Sequence, residues 1–317
     1  MRMIDRFKVV IAAILIAHGA HSFVFAQGRA ARLRSQRAAE PFDPSPEQFL
    51  RGLFGATSDE QQKALAAIEI SIADERRLGE SIVEAYLKEL ESQNLKVIER
   101  GRDVDYLRDL VNTIRPFMTN KNRYRTIKIY VVDSPQTDAR SIPGGTLFFF
   151  RGLLDFAGSE AALVGVVGHE LSHLDRGHQL GPLRRMKLFE QTMQSDPREM
   201  SPARMFAAVG PLVEGYARPF RPEDEAEADR DGARWAFQAG YDPRELANMF
   251  VKLHRRDGDE APMLSFLKTH PYRLDRSRAV REQYAIEQEE SPNDNLYVGR
   301  KNLGQRVSRA KRVFDEK

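Results

Sequence analysis

The chain of 317 residues contains no cysteine. Disulfide bonds and thiolate chemistry are therefore excluded, although the absence assigns no compartment. A large charge excess is also lacking: 49 Lys and Arg face 46 Asp and Glu, for a formal net charge of +3. Arg2, Arg6 and Lys8 less Asp5 place +2 of it in the first 26 residues. The rest of the chain is close to neutral, so a sequence pI of 9.0 is no footprint of a nucleic-acid partner, and none is expected. A long apolar run is missing too. Val9 to Ala17 is apolar, but His18 and His21 interrupt it, short of the ~20 residues that span a bilayer.

The organisation expected from these features begins with a signal peptide over 1–26. It has a basic start, an apolar centre, and Val24-Phe25-Ala26 before a cut. This predicts a periplasmic or secreted destination; the alternative is anchoring by an uncleaved N-terminal segment. No cysteine follows the apolar stretch, so lipoprotein anchoring is not available. Residues 27–45, with Arg29, Arg32, Arg34 and Arg37 and then prolines, read as a flexible basic linker. The chain is 41% hydrophobic, enough for a packed core, and residues 46–317 are expected to form a single domain with a Met- and Pro-rich helical insertion at 180–220 and a basic C-terminal tail at 291–317.

What the chain does have is Leu163-Val164-Gly165-Val166-Val167-Gly168-His169-Glu170-Leu171-Ser172-His173. Ser159 followed by Glu160 starts a helix there. Positions four apart share a helix face, so His169 and His173 can address one metal ion, with Glu170 beside them as general base toward an attacking water. Buried histidines in an apolar helix need partners, and a metal supplies one. A hydrolytic zinc site requires a third protein ligand. The downstream segment Pro222-Glu223-Asp224-Glu225-Ala226-Glu227-Ala228-Asp229 reads as an acidic helix start in which Glu225 and Asp229 share a face. One of the two can ligate while the other orients a ligating histidine. His178, five residues past His173, falls off the metal-facing side and reads as structural or exposed.

These motifs resemble zinc metallopeptidase family forty-eight, which includes the heat-shock protease HtpX, the CAAX prenyl protease and the mitochondrial protease Oma. Gly168-His169-Glu170-Leu171-Ser172-His173 and Glu225-Ala226-Glu227-Ala228-Asp229 carry the likeness. Ile142-Pro143-Gly144-Gly145-Thr146-Leu147-Phe148-Phe149, Gly240-Tyr241-Asp242-Pro243 and Thr269-His270-Pro271 with Arg276 match other blocks. The resemblance covers about Glu75 to Arg281. It implies an α+β, zincin-like fold, mostly helical with a small sheet. It also implies one Zn2+ held by His169, His173 and Glu225, with Glu227 the runner-up ligand and Asp229 behind the histidines. His270 and Arg276 come near the cleft as supporting or regulatory residues. Pro271 biases His270 to an extended backbone, and two roles stand open for it: a donor to the developing oxyanion, or a latch on the metal.

Around the motif, Thr126 to Val132 and Thr146 to Phe150 read as strands, with Pro143-Gly144-Gly145 as a turn. Gly145, Thr146, Leu147 and Phe148 are expected to offer a strand edge to an extended peptide. Helices are expected over 104–117, 151–156 and 273–290, and one opening at Asp242-Pro243. The implied function is a zinc-dependent endopeptidase of the bacterial cell envelope acting on misfolded or unassembled proteins, with possible peripheral contact with the membrane or the envelope assembly machinery. The alternative is a proteolytically latent envelope chaperone or binding module that retains the zinc site. A non-peptidase zinc hydrolase fits the spaced motifs less well.

Overall fold

The structure is a computed structural model that describes residues 65, 67–181, 183–185, 187, 220–257 and 274–315. The chain divides into two compact units, Met1–Glu69 with Gly181–Tyr216, and Ile70–Leu180 with Ala217–Lys317. The second unit holds both the His-Glu-x-x-His segment and the acidic helix start. The expected signal peptide, linker and Met-rich part of the insertion lie outside the described residues, as do Thr269, His270 and Pro271.

The second unit opens with α1 (Ile72–Ser92), started by the Ser71 side chain accepting from the Asp74 N–H. β1 (Lys96–Ile98), α2 (Arg102–Ile114), β2 (Lys128–Asp133), β3 (Ala139–Ile142) and β4 (Thr146–Phe150) follow. Then come α3 (Arg151–Phe156), α4 (Glu160–Arg176), α5 (Pro222–Gln238), α6 (Arg244–Asp257), α7 (Leu274–Glu290) and α8 (Arg300–Gln305). The four strands form one sheet in the order β1-β2-β4-β3. β2 and β4 are parallel, and the two outer pairs are antiparallel.

The two-residue period of the strands separates two apolar layers. Tyr130, Val132, Ile142, Phe148 and Phe150 face Ile82, Tyr86 and Leu90 of α1. Ile129, Val131, Ala139, Leu147 and Phe149 join the main core with Leu107, Leu110 and Ile114 of α2 and the apolar residues of α4. Three consecutive phenylalanines are thereby buried on alternate faces of one strand.

β4 corrects an expectation. It lies between β2 and β3, ladders to both, and all five of its residues are buried. Gly145, Thr146, Leu147 and Phe148 therefore offer no free edge. Among the described residues, the open edge on this side of the sheet belongs to β3, whose four residues are too short a pattern to register as a strand.

α4 runs through the centre: sixteen of its seventeen residues are buried, as expected where Ala161 to Gly168 leave no polar side chain on any face. The Ser159 side chain accepts from the Ala162 N–H, and Gly177 (φ 67°) ends the helix in the left-handed turn that glycine adopts without strain. Residues 298–309 of the basic C-terminal tail bond back onto the start of α4. The carbonyls of Gly299 and Val298 accept from the N–H groups of Glu160 and Ala161, two donors that a helix start leaves open. The Arg309 N–H donates to buried Glu160, which also accepts from the Tyr241 hydroxyl. The tail is a strap that closes the start of the metal-motif helix. No helix among the described residues is long and apolar enough to cross a membrane.

Candidate metal centre

α4 and α5 meet at glycines. A Cβ on Gly168 would lie 2.9 Å from Gly232 Cα, and one on Gly232 would lie 2.8 Å from the Gly165 carbonyl oxygen. This close approach sets Glu225 and Asp229, two turns and one turn before Gly232 on the same face, directly against the histidines of α4.

His169 Nε2 and His173 Nε2 are 3.1 Å apart. Glu225 Oε2 lies 3.7 Å from His169 Nε2, and Glu225 Oε1 lies 3.5 Å from His173 Nε2. All three residues are buried. Bonds of about 2.0–2.2 Å at tetrahedral angles place neighbouring zinc ligands about 3.3 Å apart. The observed triangle brackets that value, so its two nitrogens and one carboxylate fit a tetrahedral zinc site. The charge balance fits as well. Among the described residues, three buried carboxyl groups, Glu170, Glu225 and Asp229, share the region with the guanidinium of Arg276, and a divalent cation offsets two negative charges.

Behind the triangle, Asp229 Oδ1 lies 3.0 Å from His169 Nδ1. A carboxylate only accepts, so Nδ1 carries the proton and Nε2 turns its lone pair toward the triangle. Arg276 on α7 donates Nε and Nη2 to the two oxygens of Asp229, both at 2.6 Å, and its Nη1 lies 3.1 Å from Glu225 Oε2. The guanidinium also covers the Phe250 ring at 4.5 Å. Burial alone would raise the Asp229 pKa, but the charge and hydrogen bonds of Arg276, with His169 behind them, outweigh it and hold the carboxyl below its ordinary value. Glu170 is fully buried on α4 next to His169.

Glu227, the runner-up ligand, does not enter this triangle. It is 40% exposed and sits 3.2 Å from His178 Nε2 and 3.4 Å from Arg176 Nη1. His178 is no ligand either: its Nδ1 lies 3.0 Å from His173 Nδ1. Burial lowers the His178 pKa against the opposing pull of Asp224 and Glu227.

Sequence reasoning misses three neighbours of the site. Phe220 stacks on His173 at 3.9 Å with the rings 18° from parallel. Asp231 accepts from Ser172 and Arg176, a second carboxylate link between α5 and α4. Gln179 donates its amide to the Ser141 carbonyl at 2.6 Å and to the Ser141 hydroxyl. The Asp138 carbonyl bonds to Phe150 of β4, so by the alternation of an antiparallel ladder the Ser141 carbonyl points out from the β3 edge. Of the three, only Asp231 leaves a sequence signal, as a further acidic residue on the helix that carries Glu225 and Asp229.

The sequence profile of Peptidase family M48 matches residues 106–284, more than half of the chain. The mitochondrial metalloendopeptidase OMA1 of Arabidopsis thaliana is 28% identical over 169 residues, which is 51% of this chain and 32% of that protein. The mitochondrial metalloendopeptidase OMA1 of Danio rerio is 29% identical over 163 residues, 48% of this chain and 34% of that protein. The beta-barrel assembly-enhancing protease of Yersinia pestis is 26% identical over 215 residues, 62% of this chain and 44% of that protein. The chain thus spans less than half the length of these relatives.

Proposed function

The chain belongs to Peptidase family M48, and on that premise we propose that it is a zinc-dependent endopeptidase of the bacterial cell envelope. The observation that carries the reading is the buried triangle of His169 Nε2, His173 Nε2 and the Glu225 carboxylate, with separations of 3.1–3.7 Å. These three residues would hold the ion. When bound, zinc supplies Lewis acidity toward a peptide carbonyl and lowers the pKa of a water molecule.

The protein does the rest. Glu170, one residue from His169 and shielded from bulk water, takes a proton from the attacking water on a carboxylate oxygen and passes it to the departing amine. Asp229 holds the Nδ1 proton of His169, and Arg276 keeps Asp229 ionised and oriented. The β3 edge, at the Ser141 carbonyl, is the main-chain partner for an extended peptide, because β-strand addition requires an unpaired edge.

The substrates we propose are misfolded or unassembled envelope proteins. This rests on the likeness to a protease named for β-barrel assembly and on the signal-like residues 1–26. Contact with the membrane or the assembly machinery would be peripheral.

The test is casein cleavage by the purified chain. Wild-type protein should cleave, lose activity to a chelator and regain it with zinc. Glu170→Gln should keep its zinc and its circular dichroism spectrum yet lose about 10²- to 10⁴-fold in rate, because an amide cannot accept the water's proton. Wild-type rates in that variant would remove Glu170 from the mechanism. Metal-loaded wild-type protein that cleaves nothing but suppresses client aggregation would favour the latent-chaperone alternative.

A further inference from the structure

His178 is a buried side chain to which the proposed chemistry gives no task. It follows Gly177, whose left-handed turn (φ 67°) folds the chain back after α4. On a continued helix a residue five past His173 would point away from the site. The turn instead returns the ring to His173, Nδ1 to Nδ1 at 3.0 Å, with the ring planes 75° apart. The other nitrogen, Nε2, lies 3.2 Å from Glu227 Oε2, with Asp224 Oδ1 at 4.0 Å. The same Glu227 oxygen lies 3.4 Å from Arg176 Nη1.

From this geometry we infer that His178 and Glu227 form a relay of hydrogen bonds that sets the tautomer of His173, making His178 a positioning residue for the metal centre. The inference rests on the zinc-peptidase reading. Protons can be placed along the chain in one consistent way. A carboxylate only accepts, so His178 Nε2 carries hydrogen and donates to Glu227. In the neutral ring Nδ1 is then bare and accepts from Nδ1–H of His173. His173 is left with a lone pair on Nε2, the nitrogen that faces His169 and Glu225.

The two histidines of the motif are thus fixed by different means. His169 has a carboxylate directly behind it, locked by a buried arginine. His173 has an imidazole behind it, and the carboxylate stands one ring further out, where it is 40% exposed. The outer end of the second arm is accordingly open to solvent, and the first arm is not.

The test uses the whole chain and zinc titrated against a chromophoric chelator. His178→Phe keeps the ring volume against His173 and removes the acceptor. His178→Asn gives up volume but keeps an oxygen near the Nδ1 position. The relay predicts that His178→Phe weakens zinc by about 10- to 100-fold, while His178→Asn stays within about threefold of wild type because one neutral hydrogen bond survives. A packing role predicts the opposite order, since Asn leaves a cavity and Phe does not, and that order would overturn the inference. Long-range 1H–15N spectra of the zinc-loaded protein should show hydrogen on Nε2 of His178 and on Nδ1 of His173; hydrogen on Nδ1 of His178 would also overturn it. If wild-type protein takes up no zinc, the metallopeptidase reading falls and the relay with it. If wild-type protein binds zinc and His178→Phe binds it equally well, the relay alone is refuted.

Discussion

Gly232→Ala tests whether helix packing, rather than the motif alone, makes the metal centre. A Cβ there would lie 2.8 Å from the Gly165 carbonyl oxygen and 3.0 Å from the His169 nitrogen, whereas ordinary contact begins near 3.4 Å. Both neighbours are backbone atoms of a buried helix and cannot swing aside, so α5 must back away by about 0.6 Å, the difference between 3.4 and 2.8 Å. Glu225 lies two turns away on the same face and moves with it. Its 3.5 and 3.7 Å separations from the histidine nitrogens would grow to roughly 4.1–4.3 Å, well beyond the ~3.3 Å of a tetrahedral ligand pair.

Overpacking costs about 1–3 kcal/mol, but alanine regains about 0.5–1 kcal/mol over glycine within a helix. The net destabilisation is therefore only about 0–2.5 kcal/mol, and with ~2–4 °C per kcal/mol for a domain of this size the melting temperature is a weak readout. Zinc affinity is the decisive one and should fall at least ~10-fold, as when the support of a ligand is disturbed. Gly304→Ala is the control: its Cβ would meet nothing within 4 Å, and neither zinc nor stability should drop. Zinc affinity in Gly232→Ala equal to that of wild type would show that α5 absorbs the methyl without moving Glu225, and the argument from the glycine seam would fail.

Glu225→Ala should lose most of its zinc, and Glu227→Ala should keep most of it, as read by metal analysis after gel filtration; the reverse order would exchange the two glutamates. Gln179→Ala should lower KM for an extended peptide several-fold with kcat little changed, because the Ser141 carbonyl no longer carries an internal donor that a peptide N–H must displace. An unchanged KM would mean that substrate does not pair at this carbonyl. Arg276→Lys should weaken zinc and destabilise the fold by about 1.5–3 kcal/mol, since a point charge keeps the ion pair but cannot make both hydrogen bonds of the fork on Asp229; denaturant unfolding of the apoprotein separates the second effect from the first, and equal stability would refute it.

The metal-motif helix, its Ser159 start, β2, β4, the short α3 and the acidic α5 are all legible in the chain, because local signals such as an apolar run, a turn, a capping residue or a proline at a helix start mark them. The helical spacing of His169 and His173 is likewise local geometry. β1 and β3 are not legible: three and four residues are too few to display a period of two. Sheet order follows from pairing between distant segments, and that is why β4, the more conspicuous strand, proves to be internal while the inconspicuous β3 holds the edge. The tail escapes reading for a related reason. Its value to the fold lies in the carbonyls of Val298 and Gly299, which every residue possesses and no side-chain pattern marks.

At the site, the amino-acid sequence by itself determined the histidine pair, the adjacent glutamate and a short set of candidate third ligands, because a helix fixes which residues share a face. The family likeness ranked Glu225 above Glu227, but only the tertiary structure supplies the geometric reason. The two glutamates are two residues apart, hence on different faces of α5, and the glycine seam with α4 decides which face meets the histidines. It also decided the place of His178, which a continued helix would have carried away from His173 and which the left-handed turn at Gly177 brings back. Helical geometry reaches only as far as the helix runs; beyond its last turn, distances between side chains are set by how the chain packs.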